Sequence, residues 1–150
     1  MSMKVLESLK DAGATYEVID CEPSFADTAE FCNHYGYSLD ESANAILLEG
    51  KAESPVYALC VVLATTRINV NKVARKRLGT RKASFASAEI TKELTGMEIG
   101  GITPVGLPVD LPIWIDSLVM ETRKVIIGAG SRSAKIYLSP DNLLRFPNTH

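Results

Sequence analysis

Histidine and cysteine are scarce in this chain of 150 residues, and the chemistry that needs them is correspondingly narrow. The histidines are His34 and His150. His150 is terminal, and His34 falls in a helical stretch as a surface side chain, so a serine or cysteine nucleophile is poorly provided with a base. Neither H-x-x-x-H nor H-x-E occurs, and Cys21, Cys32 and Cys60 form no C-x-x-C pair, which leaves a metal centre without ligand spacing. An odd number of cysteines argues against a disulfide framework and suits a reduced compartment. Cys60, inside an apolar run, reads as a small core residue. Long apolar segments are missing too. The longest, Val56 to Ala64, falls well short of the roughly 20 residues that span a bilayer. Met1 to Ala12 carries charges in a helical pattern rather than the apolar stretch of a secretory leader. A cytoplasmic protein without a membrane partner is expected. Repeats, low-complexity segments and linkers are also absent, so residues 1–150 read as one domain.

What is present is a globular composition, 46% hydrophobic, and an uneven distribution of charge. Residues 1–66 hold 11 acids and 3 bases, and residues 67–150 hold 7 acids and 13 bases. Seven bases fall between Arg67 and Lys82 with no acid among them: Arg67, Lys72, Arg75, Lys76, Arg77, Arg81 and Lys82. A one-sided cluster of this kind suits a phosphate-bearing partner, although a solvated helix face has the same composition.

Periodicity predicts the elements. Val5, Leu6, Leu9 and Ala12 recur at helical spacing before Gly13, and Thr15 to Ile19 alternates as a strand. Asp27 and Glu30 resemble a capping box for a helix that ends near Gly36. Ala45 to Leu48 and Val56 to Ala64 form a strand pair, the second apolar on both faces and therefore central in its sheet. Asn69 or Asn71 caps a helix that buries Val70, Val73, Ala74 and Leu78 and turns its basic residues outward. Ser87 caps another, which Gly96 stops. Strands are predicted over Ile113–Val119, Lys124–Ile127 and Lys135–Leu138, and Ser139-Pro140 opens a last short helix through Leu144. Helices and strands intersperse without strict βαβ alternation, which predicts an α+β domain around a mixed sheet.

Between two such elements, Gly100, Gly101, Pro104, Gly106, Pro108 and Pro112 crowd thirteen residues. Glycine lets a backbone approach a ligand closely, and proline holds φ without using a donor. A loop of this kind can present backbone N–H and C=O groups to a small substrate, or it can be a structural turn. Gly128-Ala129-Gly130-Ser131-Arg132-Ser133 lacks the GK[ST] ending of a phosphate loop and reads better as a tight turn between strands.

Gly100-Gly101-Ile102-Thr103-Pro104-Val105-Gly106, after Leu94-Thr95-Gly96, resembles the hallmark of the YbaK-like family of aminoacyl-tRNA editing domains. These are freestanding relatives of the editing insertion in bacterial prolyl-tRNA synthetases. Gly100 and Pro104 match the family's GxxxP backbone motif. Ile68 to Val73 is similar to its basic helix entry, Ile113-Trp114-Ile115-Asp116 to its apolar strand ending in aspartate, Gly128 to Arg132 to its glycine-rich turn and Leu138 to Leu143 to its closing helix. The resemblance implies a mixed, barrel-like sheet with short flanking helices and an activity that hydrolyses the ester of a mischarged aminoacyl-tRNA, with no cofactor. Gly100, Gly101, Pro104 and Asn44 would be catalytic. Ile102, Thr103, Gly106, Asp116, Gly128 and Gly130 would shape the substrate site. The Arg67–Lys82 cluster would meet the tRNA acceptor end, and a synthetase would be a further partner. One departure stands out. Where the family carries a lysine at the start of its first central strand, this chain has Asn44, which is uncharged and shorter in reach. Lys51, seven residues on, is a weak substitute by position. A tRNA- or nucleotide-binding module that kept the fold and lost catalysis, with Asn44 in the lysine's place, is the alternative.

Overall fold

The computed structural model describes residues 3–107 and 110–146, so Pro108 and His150 lie outside the described residues. Seven strands form two sheets: β1 Glu17–Asp20, β2 Ala43–Lys51, β3 Val56–Leu63, β4 Lys82–Phe85, β5 Ile113–Ile115, β6 Val125–Gly128 and β7 Ala134–Leu138. The helices are α1 Met3–Asp11, α2 Thr28–Tyr35, α3 Arg75–Leu78, α4 Ala88–Thr95 and α5 Ser117–Met120. One sheet has the order β4-β2-β3-β5 and the other β1-β7-β6. β3 pairs antiparallel with β2 from Ala43↔Leu63 to Gly50↔Val56, and parallel with β5. A parallel bridge, Ser42↔Ile126, is where the sheets meet. The fold is thus α+β with mixed pairing, and the two sheets do not close into a barrel among the described residues.

The apolar run at Val56 to Ala64 is central, as its two-sided hydrophobicity requires. Leu59 and Val61 face one core with Leu47, Val5 and Leu9, while Cys60 and Val62 face a second with Leu48 and Ala74. Each fully buried Leu or Val of this kind contributes about 1.5–3 kcal/mol. Helix α4 keeps its expected ends, with Ser87 Oγ accepting from Ile90 N–H at 3.1 Å and Gly96 left-handed.

Several elements differ from expectation, and β4, which pairs with the far half of β2, was not expected from the sequence. Asp27 stands at the N-cap of α2 but its side chain makes no capping bond; the carboxylate goes to Arg132 instead, at 3.2 Å. The basic stretch opens as a π-helical turn over Val70–Ala74, capped by Asn69 Oδ1 accepting from Lys72 N–H. The extra residue in that turn rotates the apolar face, and Val73, expected inside, is 63% exposed. β5 stops at Ile115 because Asp116 takes an N-cap conformation and α5 follows, which still buries Val119. The closing segment Pro140–Arg145 is a 3-10 helix.

Candidate functional site

The glycine loop and the glycine turn lie backbone against backbone. Gly130 N–H donates to Gly101 C=O at 2.7 Å. A Cβ on Gly101 would lie 2.4 Å from Ser131 O, and one on Gly128 would lie 2.3 Å from Ile102 O. No side chain fits at either position, so these glycines exist to let two main chains touch. Arg132, in the same turn, joins three segments. Its guanidinium donates to Ile99 C=O at 2.7 Å and to Pro23 C=O at 2.9 and 3.1 Å, and pairs with Asp27.

This clamp forms one wall of a cavity of about 440 Å³. β2 supplies another wall with Ala43 to Leu47, and Asp27, Thr28, Ala86, Ala88, Thr91 and Ile99 complete it. Asn44 points into this space, its Oδ1 accepting from Thr28 Oγ1 at 2.5 Å. Lys135 enters from β7 and donates from Nζ to Gly100 C=O at 2.5 Å. The lysine is only 6% exposed, and burial pulls its pKa below the ordinary lysine value. The rest of the lining mixes alanines and Thr91 with the larger Ile46, Leu47, Ile99 and Ile102, and the volume limits any occupant to a compact group. Among the described lining residues there is no cysteine or histidine. The nearby Cys21 thiol is pushed up by burial, away from thiolate.

The expected site residues separate in space. Asn44, Gly100, Ile102 and Gly128 line the cavity, and Gly101 and Gly130 brace it from behind through their mutual bond. Pro104 and Gly106 line a different hollow, of about 360 Å³, between α1 and the C-terminal turn. There a Cβ on Gly106 would lie 2.9 Å from Lys4 O, so that glycine serves helix packing. Thr103 is fully buried, with Oγ1 accepting from Val105 N–H. Asp116 lies beside Cys60, whose pKa burial and that carboxylate push up to about 11. Lys51 pairs with Glu49 at the far end of β2 and does not line the cavity. Of the seven bases, all but the half-buried Arg75 are exposed, and none is in an ion pair among the described residues. Arg75 Nε donates to Asn71 C=O, and Arg77 stacks over Trp114 at 4.6 Å.

Sequence reasoning missed Thr28, Asp27, Arg132 and Lys135 as site residues. A lysine flanked by Ala134 and Ile136 in a strand was legible as strand pattern, but that pattern assigns it to solvent. Helix α2, which places Phe31 5.7 Å from the ammonium, is what encloses it.

Comparison with known proteins agrees with this architecture. The family model for the aminoacyl-tRNA editing domain matches residues 22–146. The chain is 31% identical over 130 residues to the uncharacterized protein YwhH of Bacillus subtilis (strain 168), covering 87% of this chain and 80% of that protein. It is 26% identical over 99 residues, 66% of this chain and 58% of the relative, to EbsC of Enterococcus faecalis (strain ATCC 700802 / V583), provisionally named a Cys-tRNA(Pro)/Cys-tRNA(Cys) deacylase. Among solved structures, the hypothetical protein APE2540 superposes with a TM-score of 0.84 at 26% identity, over 94% of this chain and 91% of that one. A protein provisionally described as a trans-editing enzyme for prolyl tRNA synthetase shares the fold, with a TM-score of 0.82 at 23% identity over 100% and 95% of the two chains. With the fold, the loop-on-turn clamp and the family match in agreement, the chain belongs to the YbaK-like aminoacyl-tRNA editing domain family.

Proposed function

We propose that the protein is a freestanding aminoacyl-tRNA deacylase that hydrolyses the ester between a wrongly attached amino acid and tRNA. The observation that carries this reading is the compact cavity in which the Gly100–Ile102 loop faces Asn44 across a mixed lining of alanines, threonines and branched aliphatic side chains. A water oxygen attacks the ester carbonyl carbon, the bond to the ribose oxygen breaks, and the water's proton ends on that oxygen. The protein's part is positioning and stabilisation of the developing oxyanion, which needs no protein nucleophile. A cavity of this limited volume suits selection by size, as in a second sieve. Phosphates of the acceptor end would meet the exposed cluster from Arg67 to Lys82. β4 links the two regions: Lys82 starts it and Ala86, just beyond its end, lines the cavity, about 13 Å away along an extended strand. A synthetase that delivers the tRNA is a further partner in this reading.

The name carried by EbsC makes cysteinyl-tRNA(Pro) the first ester to test, followed by alanyl, seryl and threonyl esters. Turnover of one of them by the wild type is the expected result. The second reading, a tRNA-binding module without catalysis, is favoured by Asn44 standing where the family has lysine. Silence from the wild type, with activity appearing in Asn44→Lys, would establish that reading instead.

A further inference from the structure

Lys135 is the one lysine of the described residues that is buried, and the fold has no evident structural need of its charge. Its single hydrogen bond among the described residues runs to Gly100 C=O, and none of the ion pairs formed by these residues includes it. An ammonium has three donors, so two remain. Titratable groups come near from several elements. Asp27 and Cys32 belong to the start and body of α2, Cys21 follows β1, and Arg132 comes from the β6–β7 turn. Asp27 is already committed to Arg132. An enclosed cation with no direct ion-pair partner costs stability that an apolar side chain of similar size would not. Groups held in that condition inside a cleft mark places where chemistry is done.

We propose that Lys135 is a catalytic residue, the cationic donor that this cavity offers to the carbonyl oxygen of the bound aminoacyl ester. The assignment rests on the deacylase reading above and adds to it. As water attacks the carbonyl carbon, negative charge gathers on the carbonyl oxygen, and the Lys135 ammonium faces it while keeping its own protons. A phosphate is a poorer match for this donor, because Nζ lies deep against Gly100 while the phosphate-seeking bases stay on the outer surface. The arrangement also accounts for Asn44. With the positive charge delivered from β7, β2 need supply only a neutral group. Burial, reinforced by Arg132 and opposed by Cys21, Asp27 and Cys32, lowers the lysine's pKa. The stabilisation is therefore lost as pH rises through that lowered value.

The test uses the full chain with Lys135→Met and Lys135→Arg, each checked for a cooperative melt. Deacylation of cysteinyl- and alanyl-tRNA(Pro) gives kcat and KM. In parallel, the side-chain NMR signal of Lys135 is followed in the wild type during titration with the non-hydrolysable amides 3′-cysteinylamino- and 3′-alanylamino-3′-deoxyadenosine. Lys135→Met should lower kcat by about 10²–10³-fold with a much smaller change in KM, and should melt no lower than wild type. Lys135→Arg should keep part of the activity and move the alkaline limb of the pH profile upward. The Lys135 signal should shift on amide binding. Wild-type turnover in Lys135→Met, or a Lys135 signal indifferent to the amides, overturns the proposal. If no ester is hydrolysed by the wild type yet the Lys135 signal responds to the amides, the deacylase reading falls and the catalytic role with it, and Lys135 is left as a ligand-binding donor only.

Discussion

Two regions of this molecule concentrate positive charge, and they do so in opposite ways. The segment from Arg67 to Lys82 places seven bases at or near the surface, without ion pairs among the described residues. The cavity holds one ammonium, Lys135, almost sealed from water. Exposed cations interact through a high dielectric and are screened by salt, so they attract any polyanion and discriminate weakly. A buried cation acts through a low dielectric, keeps its strength in salt, and responds to the position of a single oxygen. In the proposed reading, the first region holds tRNA and the second recognises what is attached to its end.

The variant expected to separate the regions most sharply is Lys135→Met, with a barrier raised by about 3–4 kcal/mol, matching the loss of one oxyanion donor. The same change should leave folding stability unchanged or raised by about 1 kcal/mol, because the enclosed charge is removed. Urea denaturation beside turnover would read both, and a large loss of stability would recast Lys135 as a tie for Gly100. Next in size is Gly101→Val. The added side chain meets the Ser131 backbone, so about 2–3 kcal/mol of stability should be lost together with activity. Wild-type stability in that variant would contradict the close approach of loop and turn.

On the other side of the comparison, Arg75, Lys76 and Arg77 changed together to glutamate should weaken tRNA binding. The slope of log K against log salt should shrink by about 2–3, while kcat at saturation is preserved. Binding measured across a salt series checks this, and an unchanged slope would return the cluster to a solvated face. A smaller effect concerns pH. The folded-state pKa of Lys135 is lowered, so between that value and the unfolded value of 10.5 the unfolded chain binds more protons. Stability from this group therefore rises with pH across that window. Tyr57, Tyr137 and Cys60, all pushed up by burial, act in the opposite sense, so the rise is read as the difference between wild type and Lys135→Met. Smallest is Arg77→Leu, which removes an exposed cation–π contact with Trp114 and should cost under about 1 kcal/mol.

Much of the fold was legible wherever one residue decides the local backbone. Ser87 and Gly96 bound α4, Asn69 caps the basic turn, and the apolar run around Cys60 announced a central strand. The misreadings have two sources, a side chain with a distant partner and a turn of unusual pitch. Asp27 has the sequence position of a cap, but Arg132, 105 residues away, takes its carboxylate. Val73 fits a helical apolar stripe, yet a π turn moves it outward. The site divides in the same way. The glycines of the loop and the turn could be singled out by composition, but Pro104 and Gly106 belong to the same loop and face another hollow.

The amino-acid sequence by itself determined most of the helices and strands, though not β4 or α5, together with the charge asymmetry and the glycine-rich segments that resemble the family's. These are local properties, set by backbone preference, periodicity and composition. Tertiary structure alone decided that Gly101 lies against Ser131, that Thr28 holds Asn44, and that Lys135 of β7 is enclosed beside Gly100. Whether a cation is solvated or buried depends on what packs over it from elsewhere in the chain, and no pattern within a five-residue strand records that.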